Sequence, residues 1–420
     1  MRPGEQMSEP RTQFDPFDFI PIFPGRLRDK GIGWILLTGL AVFLVTVACT
    51  LVEGTFGRPD DFRFPADVAY ALTGSGKASE PNFPLLRDFT SLLCGFLVVT
   101  GFVLLHRNWH HVSTALTQLR ESRTIVPRLV PRSNVFSRVL GIDRLLAGDE
   151  GTALDRLDHK FGGVTTRTKL VLSGSVVLGS FVFATLLANG LSQNAFRVFA
   201  PRGVSAAEQA AWIDMAKQNW WAGPEHPLGV VIYSVLAFLA MVLIFTFNVV
   251  GVLTVYFSVA LYFAADLRAD WYNRDGRFGW TPVARVYRTA YWALVVLGTA
   301  IAVLIAALGS SVPISVLGLI LLYVLLAPVY TLVPWLCFRT VERAAKEARV
   351  AELSELLADV DERDLGQVQP LVAEFARTNA ARIRPMRLRT VPFGAFATVV
   401  LLPIVLTGLQ IFAEIGPGSR

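Results

Sequence analysis

The chain has 420 residues, of which 53% are hydrophobic and only 17% charged, against about 25% charged in soluble domains. That composition excludes a water-soluble globular protein and leaves a chain that passes repeatedly through lipid. The net charge of +6 is explained by cationic loops on the cytoplasmic side of a membrane protein, so no nucleic-acid partner is expected.

Residues 1–32 form an N-terminal arm, cytoplasmic or interfacial. Phe14, Phe17, Phe19, Ile20, Ile22 and Phe23 alternate with Pro16, Pro21 and Pro24, a pattern that predicts an extended segment lying in the membrane interface. The arm is too long for the n-region of a cleavable signal peptide.

Seven uncharged runs approach the roughly 20 residues that cross a bilayer. They are Gly33–Val52, Phe89–His106, Leu170–Leu191, Leu228–Ala265, Ala290–Leu308, Pro313–Phe338 and Pro392–Phe412. Residues 33–413 thus make up the membrane domain, and 414–420 a short tail.

The fourth run decides the topology. Leu228–Ala265 has 38 residues without Lys, Arg, Asp, Glu or His. As one helix it measures about 57 Å, nearly twice the hydrocarbon thickness of about 30 Å. It either turns back at Asn248–Gly251, both ends of which are turn-forming residues, or crosses once and continues into water. The loop charges decide between these readings. A single crossing with the N-terminus inside puts 31 of the 39 Lys and Arg on the inner side and 8 outside. A hairpin would put 17 inside and 22 outside, against the positive-inside rule. The fold class is therefore all-α, a polytopic protein of seven transmembrane helices with an inner N-terminus and an outer C-terminus.

A single crossing leaves Leu253–Ala265 apolar yet below the membrane, so other segments must cover it. A cytoplasmic helical layer is expected from residues 107–169, 250–289 and 339–391. Asn108–Ser122 continues the second span. Val350, Leu353, Leu357 and Val360 form one helical stripe, with Glu342 and Lys346 paired on its wet side. After the break at Asp361-Glu362-Arg363-Asp364, a second helix runs from about Leu365 to Ile383 and buries Val368, Val372 and Phe375. The outer loops 53–88 and 192–227 are punctuated by Pro and Gly, with a short helix at Ala206–Gln218 started by Ser205. Trp34, Trp109, Trp220, Trp221, Trp292 and Trp335 lie near span ends, as an aromatic belt requires.

Chemistry-bearing motifs are few. Thr73-Gly74-Ser75-Gly76-Lys77 lacks the first Gly and the final Ser or Thr of a phosphate-binding loop. His106 and His110 have the i, i+4 spacing of metal ligands without a third ligand nearby, so they read as basic interface anchors. Cys49, Cys94 and Cys337 all lie in apolar runs, which excludes a disulfide framework. No catalytic motif and no cofactor site is found, and an enzyme is not expected. The spans contain no Asp, Glu, Lys or Arg, which disfavours a carboxylate proton relay.

The polar and helix-distorting residues at depth are the pathway candidates. Asn248, Thr398, Thr407, Gln410 and several tyrosines are the polar ones. Pro328 and Pro334 interrupt the sixth span and Pro403 the seventh, freeing carbonyl groups. Arg382, Arg384, Arg387 and Arg389 cluster at the inner mouth of the seventh span, where they bind anionic lipid headgroups or form an anion-attracting vestibule.

In plan, the chain resembles the seven-helix chemoreceptor-type ion channels of insects. The shared points are the inner N-terminus, the outer C-terminus, a fourth helix reaching into the cytoplasm and a long inner helical segment before the last span. Gln410-Ile411-Phe412 resembles the end of that family's signature. The resemblance implies a homo-oligomer anchored by its inner helices, with the last span lining a pore. The leading expectation is thus an oligomeric ion channel or membrane-permeabilising protein. The alternatives are a transporter of an uncharged or lipid-like solute, and a scaffold docking a cytoplasmic protein partner. The Arg-, Ala-, Val- and Gly-rich composition points to a bacterial inner membrane.

Overall fold

The computed structural model describes residues 15–19, 31–63, 66–67, 70, 80–148, 151–194, 196–272, 275–308, 314–360 and 364–381. The expected span Pro392–Phe412 and the four arginines before it lie outside these residues.

In chain order the described helices are α1 (Ile32–Val52), α2 (Phe89–Glu121), α3 (Val135–Val139), α4 (Ile142–Leu146), α5 (Ala153–Gly162) and α6 (Thr166–Asn194). They continue with α7 (Ala206–Gln218), α8 (Pro227–Ala264), α9 (Thr281–Leu308), α10 (Ile314–Ala358) and α11 (Leu365–Ala380). Five of them, α1, α2, α6, α8 and α9, are long and apolar enough to cross a membrane, and α10 holds a shorter apolar stretch at Val316–Tyr330. The molecule is an all-α, multi-pass membrane protein. Its helices need no wet face because lipid, not water, surrounds them. On α1 this is plain: Trp34, Leu37, Phe43 and Leu51 are exposed, while Gly39 is so close to Val99 on α2 that a Cβ would stand 2.8 Å from its methyl group.

The helix α8 runs unbroken for 38 residues. Asn248 and Gly251 do not turn the chain. The Asn248 amide donates to the Ile244 carbonyl one turn back (2.9 Å), and Gly251 leaves room for the Tyr330 ring, which a Cβ would meet at 2.9 Å. Here the glycine serves helix packing, as small residues do in membranes.

The far end of α8 is covered, as its apolarity demands. Val255, Phe257, Val259, Ala260, Leu261, Phe263 and Ala264 are all buried, in one core with Leu116 and Leu119 of the α2 tail. The remaining cover falls within residues 107–169 and 339–391. It comes mainly from residues 125–161, with Ile125, Ile142, Leu146, Leu154, Leu157 and Phe161 buried against it, and from Val341 of α10. A two-stranded antiparallel sheet fastens the cover: β1 (Ile125–Pro127) pairs with β2 (Ala265–Leu267), Val126 opposite Asp266. The Arg128 and Arg132 amides donate to the Ala264 and Phe263 carbonyls (3.2 and 2.9 Å), satisfying groups that a helix end leaves open. Both arginine side chains pair with Asp266.

The α10–α11 pair forms its own hairpin. Leu353 is fully buried, Lys346 pairs with Glu342 (3.9 Å), Arg349 bridges to Glu374 and Asp364 caps α11. On α11 the inward stripe is Val368, Leu371, Phe375 and Thr378; Val372, expected inside, is exposed. The helix α10 also passes through Pro328 and Pro334 without a break, contrary to the expected interruption. Each proline removes one hydrogen bond, but opening the helix in lipid would strand several more backbone groups.

Two further segments depart from expectation. The described part of the N-terminal arm is not spread in the interface. Pro16–Phe19 is a short 3-10 helix with Phe17 and Phe19 buried in the same core. Phe17 stacks on Trp109 at 5.1 Å, and the Asp15 carboxylate accepts from the Trp109 indole (3.0 Å) and the Phe17 amide (2.9 Å). Trp109 is therefore a core residue and not a belt residue, whereas Trp34 and Trp292 stay exposed. The loops at the opposite end form a cap with a core of Phe83, Leu85, Phe196, Trp212, Trp220 and Trp221. Within it α7 starts at Ser205, which exchanges hydrogen bonds with Glu208 in a capping box. The two ends of the bundle are called the tryptophan end and the arginine end below.

Candidate functional site: an apolar cavity between the helices

Three helices present side chains to one interior space at the alternating three- and four-residue spacing of a helix face. On α2 these are Ser91, Cys94, Val98, Gly101 and Asn108. On α8 they are Tyr233, Ala237, Ala240, Ile244, Phe247, Gly251 and Thr254, and on α9 Ala290, Ala293, Leu297, Ala300 and Leu304. Leu319 and Tyr330 of α10 and Leu187 and Leu191 of α6 close the remaining sides. The cavity volume is about 250 Å³. It exists because the stripes are rich in Gly, Ala, Ser and Cys at positions where larger side chains would meet. From Asp88 to Asn108 the lining follows α2 for about 30 Å, the full hydrocarbon thickness.

The tryptophan end of the cavity is polar and fully cross-linked. Asp88 is the N-cap of α2 and accepts from the Ser91 amide (3.0 Å) and hydroxyl (2.7 Å). The same carboxylate accepts from the indoles of Trp220 (2.8 Å) and Trp221 (2.9 Å). Beside it, buried Arg87 donates to Asp67 (3.0 Å) and to the carbonyls of Glu80 (2.8 Å) and Asn82 (2.5 Å), with its guanidinium over the Phe83 ring. Arg87 and Asp67 are spent on one another, and Asp88 is satisfied by neutral donors, as buried charges must be paired or hydrogen-bonded.

At the waist, the Tyr330 hydroxyl donates to the Asn248 carbonyl (2.9 Å) and also lies 3.2 Å from its side-chain oxygen, clasping α10 to α8. At the arginine end the Tyr287 hydroxyl donates to Ser258 (3.1 Å) and the Thr254 hydroxyl to the Val250 carbonyl (2.7 Å). Asn108 is 4% exposed, and its side-chain oxygen has no hydrogen-bond partner.

Of the residues singled out by sequence, Asn248 lines this cavity. Pro328 is exposed and is not among the lining residues. Pro334 lies in α10, with its side chain outside the described atoms. Thr398, Pro403, Thr407, Gln410, Arg382, Arg384, Arg387 and Arg389 fall outside the described residues. His106 is half-buried and His110 exposed, and no group of three metal-ligating side chains exists among the described residues. Their neighbour His111 instead bonds Thr289 across to α9 (3.0 Å).

Asp88, Asn108 and the small residues of α2 and α8 were missed by sequence reasoning, which sought polar groups, prolines and small residues in single spans. The available signal was the same small-residue spacing recurring on three spans. No protein family, curated protein or solved structure matches the chain.

Proposed function

We propose that this protein is a transporter of an uncharged, lipid-like solute, which occupies the cavity between α2, α8 and α9. The observation that carries this reading is the lining: about 30 Å of mostly apolar wall whose described charged side chains, Asp67, Arg87 and Asp88, all sit at the tryptophan end. An ion entering there would lose its hydration shell with nothing to replace it. A hydrocarbon chain would exchange one apolar environment for another and gain close packing. The positive-inside count places the arginine end in the cytoplasm, and the composition favours a bacterial inner membrane.

The reading is tested in nanodiscs with a photoreactive diazirine hexadecane. Labelling that saturates and maps to the cavity face of α2, α8 and α9 is expected. Ala240→Phe and Ala300→Phe, which fill the cavity, should lower that labelling at least about tenfold, the equivalent of about 1.4 kcal/mol, while the lipid-facing side of α1 labels as before. Uniform, non-saturable labelling overturns the proposal. Discrete ion-selective current from the protein in planar bilayers would instead favour the channel.

A further inference from the structure

Along the cavity most polar side chains are matched, although the Thr90 and Tyr233 hydroxyls, which also line it, make no hydrogen bond among the described residues. Asp88, Arg87, Asn248, Thr254 and Tyr287 all have the partners given above. Among the described lining side chains, Asn108 alone has a buried polar atom without one. An unpaired amide oxygen away from water is costly, and native proteins rarely leave such a group without a ligand or water.

We infer that Asn108 is the head-group site of the cavity, and that the solute is an amphiphile with an uncharged hydroxyl on a long hydrocarbon chain. This rests on the transporter reading above and specifies its substrate class. A hydroxyl both donates and accepts, so it satisfies the amide of Asn108 whichever way that amide is turned. A carboxylate or phosphate does not fit, because no free cation faces Asn108 among the described lining residues. Arg87, the one arginine of the described lining, belongs to the tryptophan end and is paired to Asp67. With the hydroxyl at Asn108, the chain extends along the apolar wall toward Asp88, which lies about 30 Å away along α2.

The experiment compares two diazirine probes at equal mole fraction in nanodiscs: hexadecane, and the same chain ending in a hydroxyl. The alcohol is expected to label the cavity about tenfold more strongly than the alkane. Asn108→Leu, which keeps the branching of Asn without its polar atoms, should abolish the difference between the two probes. Without probe, the same variant should raise the thermal unfolding midpoint, since it removes an unpaired buried group. Equal labelling by both probes in the wild type overturns the hydroxyl site, leaves the apolar cavity standing and assigns Asn108 to a water molecule. An alcohol preference that survives Asn108→Leu also overturns it. Failure of both probes to label overturns the transporter reading itself.

Discussion

Asp88 shows how much one side chain can hold together. It starts α2, joins the cap to that helix through two indoles and shuts the polar end of the cavity. Asp88→Ala would strand the Trp220 and Trp221 N–H groups and remove a helix cap, losses of about 1–3 kcal/mol for a stranded group and about 1 kcal/mol for the cap. The expected result is a lower unfolding midpoint with a red-shifted tryptophan emission; an unchanged midpoint would mean that water replaces the carboxylate. Asp275 does similar work at the start of α9. Partial burial raises its pKa, but the amides of Gly279 (2.9 Å), Arg277 (2.8 Å) and Thr281 (3.0 Å) outweigh that and leave it lowered. A carboxylate depressed in the folded state stabilises above its unfolded pKa and loses that contribution as pH falls through the folded value. The midpoint should therefore drop on acidification below about pH 4, and less steeply in Asp275→Asn.

The behaviour of α8 follows from its length. A helix of 38 residues cannot be contained in a hydrocarbon layer of about 30 Å, and its apolar surplus recruits the sheet, α4, α5 and the arm. The segment Pro16–Phe19 is part of that cover and not a lipid anchor. Phe17→Ala should cost about 3–5 kcal/mol and expose Trp109, visible as increased acrylamide quenching. If the arm were merely resting on lipid, neither the midpoint nor the quenching would move. The helical character of the spans, the start of α7 at Ser205 and the capping by Asp364 were all legible in the chain. Each depends on residues within a turn or two of one another. The cap core was not legible, because Phe83 and Trp220 meet across more than a hundred residues of sequence.

For the molecule as a whole, an unbroken α8 makes a definite statement about sides. With Cys49, Cys94 and Cys337 changed to alanine, Ala207→Cys in α7 and Val139→Cys in α3 are both exposed positions at opposite ends of the bundle. In intact cells, a membrane-impermeant maleimide should label Ala207→Cys and spare Val139→Cys until the membrane is opened. Equal labelling in intact cells would overturn the positive-inside assignment. The same geometry explains why the pathway candidates chosen by polarity fared unevenly. Asn248 reaches the cavity because its face of α8 also carries Ala240, Ile244 and Gly251. Pro328 does not, because a proline's position in the chain says nothing of the direction it faces.

Which segments enter lipid was decided within the chain, since the transfer free energy of a helix is a sum over its own residues. That α8 does not turn back was also legible there, in the charges of the loops that flank it. What only the packed molecule decided is where the empty space lies and how it is lined. A row of alanines on one helix is as consistent with a tight seam as with a cavity. The outcome depends on whether the facing helices bring large side chains or small ones. Here Gly101 of α2, Ala240 and Gly251 of α8 and Ala300 of α9 leave room at the same axis, and the buried polar atom left without a partner in the described lining is the Asn108 amide oxygen.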